Sequence, residues 1–145
     1  AGEEKTRFGG IDPVTWAYSR GYFLEALEAE VVRARRFGHA LSLLICDIDD
    51  FGAFNADYGR SNGDRLLRST AMTLAGCASP PEIVARYGAD AFAILLPESD
   101  LQAAEQRVVS VSAVVVSYPE DGAGRDELLA AADIALERVQ AGRRS

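Results

Sequence analysis

The chain has 145 residues, 48% of them hydrophobic, enough for one ordinary domain that buries a core without disulfide or metal staples. Its formal net charge of −7, with Lys5 the sole lysine, excludes a broad nucleic-acid surface, which needs clustered positive charge to displace phosphate counterions. No run approaches the roughly 18 apolar residues of a membrane span, and no basic segment followed by an apolar one opens the chain, so a cytoplasmic domain with no membrane contact is expected.

Residues 1–11 carry Gly2, Gly9 and Gly10 among charges without periodicity and read as a linker or an expression remnant; residues 12–145 read as one domain. Met72 is the only methionine, so the chain is expected to be either processed or, as the favoured reading, a piece of a longer protein. From Ser19, an N-cap residue type, Phe23, Leu27, Val31 and Ala34 recur at helical spacing as far as Gly38, which suits a helix stop. Arg33, Arg35 and Arg36 then form a solvated helix end favoured by the dipole, and His39, the sole histidine, is a surface turn residue. The run LSLLICD at 41–47 fits a central strand with Asp47 at its carboxyl end.

A short helix with Phe51, Phe54 and Asn55 follows, and Gly63 and Asp64 open a longer one with Leu67, Ala71 and Leu74 on one face. EIVARY at 82–87 and AFAILL at 91–96 flank Gly88, Ala89 and Asp90 as a β-hairpin. A helix from about Ser99 to Arg107, a Val-rich strand at 109–118 and a last helix from Asp126 to about Ala141 complete the chain. Without the first helix this is a βαββαβ order, an α+β, ferredoxin-like or palm-type antiparallel sheet with helices on one face. Cys46 and Cys77 lie in apolar runs, where a thiol behaves as a small hydrophobe, and no disulfide is expected. Trp16, Tyr18, Tyr22 and Phe23 are expected to pack the first helix onto the domain.

Asp47 at a strand end and Asp90 in the hairpin turn would bring two carboxylates to one sheet edge, the layout of a palm-like nucleotidyl-transfer site. Mg²⁺ takes oxygen ligands and is usually held by one or two carboxylates plus substrate phosphates. Acids at strand ends and in turns are also common for no such reason, so the pair by itself leaves both readings open.

Four stretches together carry a resemblance. DPVTWAYSRGYF at 12–23 is similar to Asp-x-Leu-Thr-Gly-Leu-x-Asn-Arg-Arg-x-Phe, and CDIDDFGAFNADYGRSNGDRLL at 46–67 to Asp-x-Asp-x-Phe-Lys-x-x-Asn-Asp-x-x-Gly-His-x-x-Gly-Asp. VARYGADAFAILLPES resembles a turn written Arg-Tyr-Gly-Gly-Asp-Glu-Phe, and VSVSAVVVSYPEDG with AADIALERVQAGR resembles a closing strand and helix. In order, these resemble the GGDEF domain of bacterial diguanylate cyclases over residues 12–143, which implies a nucleotidyl-cyclase-like fold.

The resemblance implies metal ligands at Asp47, the Ile48 carbonyl and Asp90, with Mg²⁺ accompanying GTP as the only cofactor. It implies nucleotide contacts at Asn55, Asp64, Phe51 and Arg143. The signature turn Gly88, Ala89, Asp90, Ala91, Phe92 departs from the pattern: the Glu proposed to deprotonate the attacking hydroxyl is Ala91, so no catalytic residue carries over. Ala89 replaces a glycine and is expected to crowd a turn in need of positive φ. Two phosphate-directed lysines are Gly52 and Gln140, and the inhibitory Arg-x-x-Asp motif is Ser79-Pro80-Pro81-Glu82, which argues against cyclic di-GMP there.

The expectation is a catalytically inactive GGDEF-type module that regulates, senses nucleotide or dimerises within a longer signalling protein, beside domains such as a cyclic di-GMP phosphodiesterase. A weakly active cyclase making cyclic di-GMP from two GTP, and a purely structural interaction module in which Asn55 and Asp64 cap local turns, are the alternatives.

Overall fold

A computed structural model describes residues 10–108 and 113–144. Helix α1 (Arg20–Phe37) begins where Ser19 Oγ accepts the Tyr22 N–H at 3.1 Å and stops at Gly38, whose φ of 72° leaves the right-handed helix region. Strand β1 (Leu41–Asp47) follows, then helices α2 (Phe51–Tyr58) and α3 (Arg60–Cys77). Strands β2 (Ile83–Gly88) and β3 (Ala91–Pro97) form the hairpin, and α4 (Leu101–Val108), β4 (Val114–Tyr118) and α5 (Arg125–Arg144) end the chain.

The sheet runs β2-β3-β1-β4 with every neighbouring pair antiparallel, which is the ferredoxin-like arrangement. Leu41, Leu43 and Ile45 of β1 point into one cluster with Phe23, Leu27 and Val31 of α1 and Leu128 and Ala132 of α5. Leu44 and Cys46 point the other way, onto Leu67, Ala71 and Leu74 of α3 and Ala104 of α4. Helices therefore cover both faces, where one was expected. The continuous apolar run of β1 has this cause: a strand buried on both sides has no polar face to alternate with.

Two helix starts differ from the sequence reading for a local physical reason. Helix α3 starts at Arg60, ahead of Gly63, because Gly59, at φ 89° and ψ 159°, ends α2 and restarts the chain at once, and its carbonyl accepts the Gly63 N–H. Helix α4 starts at Leu101 because the Asp100 carboxylate accepts the Ala103 N–H at 2.9 Å and caps it. The strand expected at 109–118 is described only from Val114, residues 109–112 lying outside the described residues.

The two cysteines are unpaired; Cys46 is buried as expected, whereas Cys77 is exposed because it falls on the last turn of α3, away from the sheet. Trp16, expected to pack α1 onto the domain, is instead 60% exposed, while Phe23 is fully buried and Tyr18 and Tyr22 stack on each other. His39 lies in its turn against the Phe37 ring and 3.8 Å from the Glu98 carboxylate.

Candidate functional site

The hairpin brings the two acids together. Asp47 ends β1 in register with Ala91, the first residue of β3, and Asp90 lies in the two-residue turn before it. Past the last strand pair, the Ile48 N–H donates to the Asp90 carbonyl at 2.9 Å, which fixes the chain after Asp47 against the turn. Two carboxylates and the Ile48 carbonyl are hard oxygen donors of the kind Mg²⁺ takes alongside phosphates. No cluster of three or more His, Cys, Asp or Glu side chains is gathered for an ion among the described residues.

Gln140, on α5 and 93 residues along the chain, donates its amide N–H to Asp47 Oδ2 at 3.1 Å. A neutral donor thus occupies the place where the resemblance put a lysine. At the opposite side of the turn Ala91 is 7% exposed and packs into the α1/α5 core, with only a methyl group where the signature has a carboxylate.

The turn is held from behind by Arg86, whose Nε donates to the Gly88 carbonyl at 2.8 Å and Nη2 to the Ala89 carbonyl at 2.6 Å. Its Nη1 reaches Asp12 Oδ2 at 2.9 Å. Burial acts to raise the Asp12 pKa, but hydrogen bonds from the Thr15 hydroxyl and N–H, together with Arg86, hold it below the usual carboxylate range. Arg20 adds a donor to the Tyr87 carbonyl one residue before Gly88. The sequence reading missed Asp12, Arg20 and Arg86, although all three stand in the stretches that carry the resemblance. Ala89 is not among the described residues with positive φ, so its Cβ meets no backbone strain, contrary to expectation; the clamp of Arg86 sets the turn without a second glycine.

Asn55 and Asp64 are brought to a second cluster by the α2–α3 junction. Asn55 lies so close over Gly63 that a Cβ there would stand 1.7 Å from Asn55 Oδ1, and Asp64 follows directly. Among the described residues Asn55 Oδ1 is buried without a hydrogen-bond partner, a costly state for an amide oxygen. Phe51 and Ile48 pack against the α3 core, which ties the junction to the end of β1. Gly52 is exposed with open space where a Cβ would stand, and Asp50 begins α2 in the left-handed region at φ 55°. The Arg143 side chain lies outside the described residues.

The Ser79–Glu82 turn closes on itself, with the Ser79 N–H donating to Glu82 Oε1 at 3.1 Å. Arg107 takes both Glu82 oxygens, at 2.7 and 3.1 Å, and donates also to the Cys77 carbonyl. Burial again acts to raise the Glu82 pKa, but the Arg107 hydrogen bond, the Ser79 N–H and the Arg107 charge together hold it below the usual carboxylate range, so this acid is spent on an internal ion pair.

The sequence model described as diguanylate cyclase, GGDEF domain, matches residues 10–108. Diguanylate cyclase DgcP of Pseudomonas aeruginosa is 35% identical over 117 residues, which cover 81% of this chain and 17% of that relative's length. Among solved structures, the GGDEF domain of PA1120 (YfiN or TpbB) from P. aeruginosa superposes with a TM-score of 0.76 at 28% identity, covering 90% of this chain and 93% of that one. The GGDEF domain of DgcB from Caulobacter crescentus, solved in complex with c-di-GMP, superposes with a TM-score of 0.79 at 26% identity, covering 92% of this chain and 89% of that one.

Proposed function

Because this chain belongs to the diguanylate cyclase GGDEF-domain family, we propose that it works in cyclic di-GMP signalling as a non-catalytic module that binds GTP and regulates the longer protein of which it is part. The observation that carries this reading is the split between the two halves of the site. Asn55 keeps a buried oxygen without a partner beside Asp64, while the chemical half has Ala91 for a carboxylate and Gln140 on Asp47.

A carboxamide and a carboxylate can between them donate to and accept from the edge of a guanine base. A nucleotide that completes Asn55 would offset the cost of its unpaired oxygen. Asp47, Asp90 and the Ile48 carbonyl would hold a Mg²⁺ that accompanies the triphosphate, and that ion would supply charge neutralisation at the phosphates. No side chain at position 91 can take a proton from a 3′-hydroxyl, a loss of about a hundredfold to ten-thousandfold in rate. The missing lysines at positions 52 and 140 remove further stabilisation of developing charge.

The unpartnered Asn55 oxygen also disfavours the purely structural alternative, because that atom caps no turn or helix. At the Ser79–Glu82 turn the ion pair with Arg107 and the absence of an arginine at position 79 favour a module that does not answer to cyclic di-GMP there. The regulated partners would be other domains of the parent protein, or a second copy.

The test is a calorimetric titration of GTP with and without Mg²⁺, followed by product analysis on the same sample and on Asn55→Ala and Asp64→Ala. Binding without product, lost in both variants, is the expected result. Cyclic di-GMP formation at a rate typical of the family would overturn the reading, and absence of binding would shift the assignment to a protein-interaction module.

A further inference from the structure

Trp16 stands in the left-handed backbone region at φ 64°, a conformation that suits glycine and strains a bulky side chain. The surrounding loop fixes it there: the Trp16 N–H donates to the Asp12 carbonyl at 2.8 Å and the Asp12 N–H to the Ala17 carbonyl at 2.8 Å. The strained residue nonetheless leaves 60% of its surface in solvent, so burial does not compensate it. Strain that packing does not repay points to use.

Beneath Trp16, between its loop, α3 and the outer edge of β2, lies a cavity of about 680 Å³, within the size range of small-molecule sites. Its walls are apolar and largely flat: Trp16, the Tyr18–Tyr22 stack with centroids 4.2 Å apart, Pro81, Val84 and the adaptable Met72. Among the described residues Glu82 is the one charged residue that lines it, and Arg107 already neutralises that carboxylate. Met72, 66% exposed, also borders a shallower groove of about 430 Å³ along α3, lined by Arg65 and Arg68. The Arg68 guanidinium sits 4.4 Å above the Trp16 ring while its Nε donates to the Val14 carbonyl at 3.0 Å.

We propose that this cavity and the adjoining groove form a binding site for a small molecule that joins a flat aromatic ring system to an anionic group. The ring enters the apolar cavity beside Trp16, and the anion meets Arg65 and Arg68 where the cavity opens into the groove. Flat walls select for flat ligands, and a rim with two guanidinium groups selects for negative charge. The site shares no residue with Asp47, Asn55, Asp64 and Asp90, so it stands whether or not GTP binds there. A free aromatic acid and a nucleotide both have this chemistry.

Trp16 is the only tryptophan in the chain, so its indole N–H gives a single resolved signal in a ¹⁵N–¹H spectrum. We would titrate 2-naphthoate, and the uncharged 2-naphthol as its comparison, into the purified protein, following that signal and the heat of binding. The expected result is a saturable 1:1 shift of the indole signal by naphthoate and at least fivefold weaker binding of naphthol. Trp16→Gly, which relieves the backbone, should keep the melting temperature and GTP binding of the parent while naphthoate affinity falls at least tenfold. Arg68→Gln should bring naphthoate down to the affinity of naphthol. Displacement of naphthoate by GMP would assign the anion to a nucleotide, and failure of GMP to displace it would assign the site to aromatic acids. No saturable shift, equal binding of the two probes, or unchanged naphthoate affinity in Trp16→Gly would overturn the proposal.

Discussion

Gln140 Nε2 donates to Asp47 Oδ2 across 3.1 Å, which ties the last helix to the carboxyl end of the central strand. The amide satisfies part of the carboxylate but brings no charge for a phosphate. Gln140→Lys should therefore raise GTP affinity by about tenfold, roughly 1.4 kcal/mol, at low salt. The same variant should still give no product, and a calorimetric titration with product analysis checks both halves. Adding Ala91→Glu and Gly52→Lys to it should give the first detectable cyclic di-GMP, since among the described residues outside its own helix turn nothing stands within 4 Å of where a Gly52 Cβ would be.

Gly63 is required by Asn55 rather than by its own backbone, because a Cβ would fall 1.7 Å from Asn55 Oδ1. Gly63→Ala should displace the Asn55 amide, cost about 1–3 kcal/mol in urea unfolding and abolish GTP binding. Gly52→Ala meets no atom within 4 Å and should leave both quantities within about 0.5 kcal/mol of the parent. Equal behaviour of the two variants would remove the assigned role of Gly63.

Asp12 links the N-terminal loop to the signature turn through Arg86, and its folded pKa lies below its ordinary value of 3.8. A lowered folded pKa adds stability that is complete above the unfolded pKa and is lost as the pH falls through the folded one. Asp12→Asn should thus cost about 2 kcal/mol near neutral pH, a cost that shrinks only below about pH 4. Chemical denaturation of both proteins across the acid range measures it.

The two thiols should differ sharply in reactivity. Burial first, and the neighbouring Asp47 charge second, push the Cys46 pKa up to about 11, whereas Cys77 is exposed at the end of α3. Iodoacetamide at mildly alkaline pH should add one label per native chain, on Cys77, and two only after unfolding. Peptide mass spectrometry distinguishes the outcomes, and native labelling of Cys46 would mean that the β1/α3 face opens.

Much of the fold was legible because its signals are local. Ser19 and Gly38 bracket α1 through contacts within one turn, and the apolar run from Leu41 to Cys46 marks a strand covered on both faces. The order of elements and the positions of Asp47 and Asp90 at one sheet edge follow from the hairpin between β2 and β3. Which groups meet was decided elsewhere. Gln140 reaches Asp47 only because α5 docks on the α1 face of the sheet, and Arg107 captures Glu82 only because α4 ends beside the Ser79 turn. Trp16 looked like a packing residue by type, but its left-handed backbone turns it outward over a cavity that α3 and β2 enclose. Residue types and spacing determine which secondary elements can form and which acids end them. The direction of a side chain, and the partner it finds, depend on how helices distant in sequence dock on the sheet, and that the tertiary structure alone decided.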